Sequence, residues 1–120
     1  MAEFEEVINS LTLELRRGTI VLSTLSQLEN PKYGYALVQR LEEKGVGIDA
    51  GTLYPLLRRL EKQNILKSEW ETTGAKPRKY YVRTGFGSQV YGELCRQWKS
   101  MADSMNLLMN EGKTDNGNAE

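Results

Sequence analysis

The sequence predicts a mainly α domain with one small β-hairpin, an α+β unit followed by a long C-terminal helix. Three observations carry this. Leucines recur at helical spacing in three successive segments before residue 65, two strand-like runs flank the loop "TTGAKP", and one further apolar stripe continues from Val90 to Leu108. The chain has 120 residues, 39% of them hydrophobic, which is one domain's worth of core with an extension.

Residues 5–28 form the first helical region, with Leu15, Leu22 and Leu25 on one face and Ile20, Val21 and Leu28 widening the stripe. Asn30 and Pro31 end it. A short second helix carries Leu37, Val38 and Leu41, and Gly45 and Gly47 stop it. The third runs to about Asn64 from a cap at either Asp49 or Thr52. If Thr52 caps, Pro55 lies in the first turn, where its missing N–H costs nothing; if Asp49 caps, one backbone bond is lost. The runs "ILKSEWE" and "RKYYVRT" then form the hairpin. Its aromatics, Trp70, Tyr80 and Tyr81, are expected to make cross-strand pairs against the helices. Three helices followed by a hairpin is the order of a winged helix-turn-helix domain, here residues 1–83.

On a helical wheel, Leu53, Leu56, Leu57 and Leu60 of the third helix fall within a single arc and form the core face. The opposite side carries Gly51, Pro55, Arg58, Arg59 and Lys62, with Tyr54 at its boundary and Thr52 beside the helix start. Arginine can grip guanine O6 and N7 with two parallel hydrogen bonds, so Arg58 and Arg59 are candidate base readers, while lysine and threonine suit phosphates. Which of the two arginines reads stays open. Lys76, Arg78 and Lys79 crowd the hairpin loop, where their mutual repulsion favours an anionic partner.

The net charge is zero, yet residues 51–83 hold eight lysines and arginines against three glutamates. That local excess is the footprint of a nucleic-acid surface inside a neutral chain. Histidine is absent and Cys95 is the one cysteine, which removes the usual general base and zinc ligands and any internal disulfide. No cofactor, metal or catalysis is expected, and a small hydrolase built on Glu42 or Glu43 lacks a nucleophile. With no long apolar run and no export-like start, the chain is expected to be cytoplasmic, without a membrane partner.

From Thr84, a good N-cap, a fourth helix over residues 84–111 places Val90, Leu94, Trp98, Met101, Met105 and Leu108 at steps of three and four. An isolated helix with such a stripe is marginal in water, so a partner helix is required, and the same helix of a second subunit is the simplest supplier. The segment "FEEVINSLTL" is expected to pack across this seam. Residues 112–120 are polar and expected to be disordered.

The stretches "YGY" at 33–35, "GTLYPLLRRLE" at 51–61, "SEW" at 68–70 and "PRKYY" at 77–81 together resemble the PadR-like transcriptional regulators, over most of residues 12–87. The resemblance implies a homodimeric repressor on a palindromic operator, with Tyr33, Thr52, Tyr54, Pro55, Arg58, Arg59 and the wing cations at or near DNA. Trp98, fourteen residues after Thr84, is similar to the tryptophan that a short-tailed, drug-sensing branch of the family places in a central dimer cavity. That similarity implies a hydrophobic effector bound by Trp98, Met101 and Met105. A tryptophan and methionines at seam positions also serve as dimer core. One departure stands out: in "YYVRTGFG" Val82 and Arg83 are interchanged relative to the family pattern, and Gly85 stands where an acidic residue is common. Side chains alternate across a strand, so the interchange moves an apolar side chain to the other face unless the strand bulges. From another functional class, a winged-helix module that binds a protein partner and no DNA is the alternative.

Overall fold

The leucine stripe after Asp49 forms the core of the domain. In the computed structural model, which describes residues 2–114 and the side chains of 2–111, Leu53, Leu56, Leu57 and Leu60 are all buried. They lie on α4 (Ala50–Lys62), against Leu25 and Leu28 from α2 (Ile20–Ser26) and the turn after it, and Leu37 and Leu41 from α3 (Gly34–Glu43). Ile65, Leu66 and Tyr81 close the cluster from the sheet side.

Both helix-turn-helix helices end in the same way. After α3, Gly45 takes φ +89°, with Val46 N–H donating to Leu41 O (2.8 Å) and Gly45 N–H to Glu42 O (3.0 Å). After α4, Asn64 takes φ +64°, with Ile65 N–H donating to Leu60 O (2.9 Å) and Asn64 N–H to Glu61 O (3.0 Å). Each stop is thus a left-handed residue that satisfies the last carbonyls, with an apolar residue following it onto the core. Asp49, not Thr52, caps α4: its carboxylate accepts Thr52 N–H at 2.8 Å. Pro55 therefore sits inside the helix, and Gly51 O loses its i+4 donor on the exposed side.

The first helical region is not continuous. α1 (Ala2–Arg17) and α2 are separated at Gly18 and Thr19, where Thr19 N–H and its hydroxyl both donate to Arg16 O at 2.9 Å. Glycine is a weak helix former, and the threonine takes a carbonyl the helix needs to propagate. The break removes Leu15 from the face it was expected to share with Leu25: Leu15 is 78% exposed and Leu25 fully buried. α1 buries no residue of its own.

The expected hairpin appears as β2 (Leu66–Glu71) and β3 (Arg78–Arg83), in unbroken antiparallel register from Leu66↔Arg83 to Glu71↔Arg78. A third strand, the two-residue β1 (Lys32–Tyr33), pairs with the other side of β3, giving the order β1-β3-β2. Of the aromatics expected against the helices only Tyr81 arrives; Trp70 is 62% exposed, and Tyr80 lies on the opposite face of β3. α5 (Gly85–Thr114) leaves the domain as one long helix, and the molecule measures 69 × 38 × 22 Å. The tail expected over 112–120 lies outside the described side chains and, beyond 114, outside the described residues; helical backbone reaches Thr114.

Candidate nucleic-acid interface

Burying one face of α4 dictates what the other presents. Thr52, Pro55, Arg58, Arg59 and Lys62 are all exposed, and no described carboxylate pairs with Arg58, Arg59 or Lys62. Tyr54 differs: it is half-buried, and its ring lies over Gly34 so closely that a Cβ there would meet Tyr54 Cε1 at 2.4 Å. This explains the glycine of "YGY". It lets the tyrosine of α4 seat against the first residue of α3 and sets the spacing of the two helices. The Thr52 N–H bond holds the Asp49 carboxyl below its ordinary range, as expected of an anion at a helix N-terminus.

The wing is built on an aromatic and ionic cluster. The Tyr33 hydroxyl donates to Glu71 Oε1 at 2.5 Å, and Thr73 donates to the other oxygen at 2.8 Å. The bond to Glu71 raises the Tyr33 phenol above its usual value, while the same bond and then the Thr73 bond lower the Glu71 carboxyl. Tyr33 stacks on Tyr35 (5.9 Å, 5° between planes) and meets Tyr80 edge-on at 5.9 Å. Arg78, cross-strand partner of Glu71, lies 5.3 Å from the Tyr33 ring centre and donates to the Tyr35 hydroxyl at 3.2 Å. Its guanidinium is thereby held at the wing edge by two rings.

The three wing cations are not equivalent. Lys79 turns toward α4, 3.7 Å from Glu61 Oε1 and over the rings of Trp70 and Tyr81. Lys76 is exposed in the loop with no described carboxylate in reach. Arg83, on the packed face beside Tyr81, serves the interior. Its Nη1 donates to Leu25 O at 2.8 Å, its backbone N–H donates to Leu28 O at 2.8 Å, and the guanidinium lies 4.3 Å from the Tyr91 ring centre. The interchange with Val82 is therefore absorbed without a bulge, because the turned guanidinium finds the Leu25 carbonyl and the Tyr91 ring, although its Nε is buried without a hydrogen-bond partner among the described residues.

On α5, Val90 and Leu94 pack on the domain core, whereas Met101, Met105 and Leu108 are exposed and Trp98 is 46% exposed. Trp98, Met101 and Met105 line an open apolar groove of about 720 Å³ together with Val21 and Leu22 of α2 and Leu15 of α1. The sequence reading missed Tyr35 and Glu71, for which cross-strand pairing of Glu71 with Arg78 was the available signal. It singled out the Val82–Arg83 interchange but not the interior partners that Arg83 finds. Among the described residues no group of three His, Cys, Asp or Glu side chains could hold a metal, and no helix is long and apolar enough to cross a membrane.

Comparison with known proteins agrees with this architecture. Residues 21–93 match the transcriptional regulator PadR-like family. A PadR family transcriptional regulator from Eggerthella lenta is 49% identical, with a TM-score of 0.86 over 91% of this chain and 97% of that one. Transcriptional regulator Rv3488 of Mycobacterium tuberculosis is 32% identical across 74% of this chain and 84% of its own length. Bacillus subtilis PadR, solved in complex with operator DNA, shares the fold at 20% identity and a TM-score of 0.60, over 64% of this chain and 45% of that one. With the winged domain and its C-terminal helix in the same order, the chain belongs to the PadR-like family of transcriptional regulators.

Proposed function

We propose that this regulator is a homodimeric repressor that binds a pseudo-palindromic operator and releases it when a flat hydrophobic effector enters the groove beside Trp98. The observation that carries the reading is the division of α4 into a buried leucine face and an exposed face bearing Arg58, Arg59 and Lys62. Thr52 at the start of α4 and Lys76, Arg78 and Tyr33 at the wing extend this surface. α4 enters the major groove, its arginines read base edges, and the wing contacts the flanking backbone.

The dimer is supported by apolar surface that the single chain does not cover. Phe4, Val7, Ile8 and Leu11 of α1, and Met101, Met105 and Leu108 of α5, are exposed, and a second copy supplies a like surface to bury them. The groove lies where that interface would form, and its indole and thioethers suit planar, polarizable ligands.

Binding of fluorescent duplexes to the full chain, followed by anisotropy across a salt series, tests the reading. Selective, salt-dependent binding to one duplex class is expected. Binding that is absent or indifferent to salt would favour a winged-helix module with a protein partner, a reading helped by the internal use of Lys79 and Arg83. For the effector, Trp98 fluorescence in a Trp70→Phe background is titrated with a planar aromatic cation such as Hoechst 33342. Quenching is expected, with operator DNA lowering ligand affinity by the factor by which ligand lowers DNA affinity.

A further inference from the structure

We infer that Thr84 and Gly87 splice the dimerisation helix rigidly onto the end of the recognition helix, and that this joint sets which half-site separation the dimer accepts. The inference rests on the operator-binding reading above. Geometrically, α4 ends at Lys62 and its left-handed stop is Asn64, while α5 begins at Gly85. Although twenty residues separate Asn64 from Thr84 in sequence, the Thr84 hydroxyl donates to Asn64 O at 2.7 Å, and its backbone N–H donates to Ile65 O at 3.1 Å. The same hydroxyl accepts Gly87 N–H at 2.8 Å, so one oxygen links the terminus of α4 to the first turn of α5.

Gly87 brings the backbones into direct contact. A Cβ there would lie 2.0 Å from Ile65 O and 2.9 Å from Ile65 C. Only a residue without a side chain fits. Arg83, immediately before the joint, fastens it to α2 through Leu25 O and to α5 through Tyr91. The end of α4 and the start of α5 are thus held by hydrogen bonds and van der Waals contact, with no flexible linker between them.

A rigid joint converts helix orientation into half-site spacing. From Gly85 to Met101, mid-seam, the helix covers about 24 Å, so a tilt of about 5° displaces a recognition helix by about 2 Å relative to the two-fold axis. Across both subunits that is about 4 Å, roughly one base-pair step along DNA. Small angular freedom at Thr84 therefore distinguishes a dimer selective for one spacing from a tolerant one.

The test selects binders from a random duplex pool with the full-length wild-type protein, reads the separation of the paired half-sites, and measures affinity at that spacing and with one base pair inserted or deleted. For wild type we expect about a hundredfold preference for the selected spacing, since avidity is lost when geometry forbids both contacts. Thr84→Val, which keeps shape and removes the hydroxyl, should lower the preference below about tenfold while the dimer persists by sedimentation; Thr84→Ser should retain it. Gly87→Ala should act like Thr84→Val where enough folds. A Thr84→Val protein that weakens equally at all three spacings, or keeps the full preference, overturns the inference and leaves the operator reading intact. A wild-type protein that selects no paired half-sites overturns both.

Discussion

Gly87→Ala is the most direct probe of how α5 is attached, and its cost follows from the contact it creates. The new Cβ would stand 2.0 Å from Ile65 O, 2.9 Å from Ile65 C and 3.3 Å from Ile65 Cα. Carbon and oxygen need well over 3 Å, and the obstacle is backbone, which cannot swing aside as a side-chain end can. A shift exceeding 1 Å also stretches the Thr84–Ile65 and Thr84–Asn64 bonds. Overpacking costs about 1–3 kcal/mol, and weakening two hydrogen bonds adds about 1–2 kcal/mol. Alanine's better helix propensity returns about 1 kcal/mol. The net, about 1–4 kcal/mol, lowers Tm by about 4–16 °C for a chain of this length. Thermal melts at fixed protein concentration measure it, with Gly92→Ala as the internal control. Nothing lies within 4 Å of a Cβ at Gly92, so that variant should melt at or above wild type. A Gly87→Ala protein as stable as Gly92→Ala would show that α5 does not pass Ile65, between α4 and β2, this closely.

Replacing Arg58 and Arg59 together by alanine should abolish sequence-selective binding and move Tm by no more than a few degrees, because both side chains point away from the core; anisotropy with matched and scrambled duplexes checks it. Lys76→Ala should weaken binding to all sequences alike and reduce the salt slope by about one, whereas Lys79→Ala should reduce it less, since Lys79 already pairs with Glu61; slopes of log affinity against log salt decide between them. Met101→Glu should separate the subunits by setting two like carboxylates in an apolar seam, and sedimentation equilibrium showing an intact dimer would remove this part of α5 from the interface.

Where a single periodicity decided the outcome, the sequence was enough. Leu53, Leu56, Leu57 and Leu60 needed only the helical repeat, and all four are buried. Thr84 as the cap of α5 likewise follows from local chemistry. The break after Arg17 was missed because apolar residues continue through it, and a stripe does not reveal where the backbone turns. β1 was invisible because two residues carry no period; pairing with Tyr80 and Tyr81 alone makes Lys32–Tyr33 a strand. At the candidate interface, α4's exposed face was legible, but the inward turn of Lys79 and Arg83 depended on strand alternation combined with carbonyls and carboxylates from distant segments.

A neutral chain can still offer a basic surface because its carboxylates near the basic face already have internal donors. Glu61 accepts from Ser68 at 2.6 Å and pairs with Lys79, Glu69 accepts from the Tyr80 hydroxyl at 2.9 Å, and Glu71 accepts from Tyr33 and Thr73. These are all three glutamates of residues 51–83, and four of the five side chains that hydrogen-bond or ion-pair with them are neutral hydroxyls, which satisfy a carboxylate without consuming a cation. Lys79 is the exception, drawn inward where α4 meets the wing. Arg58, Arg59, Lys62 and Lys76 consequently remain unpaired by any described carboxylate, and Arg78 is held by rings that leave its charge intact. Net charge therefore understates the attraction for an anion, which is governed by the arrangement of cations left facing outward.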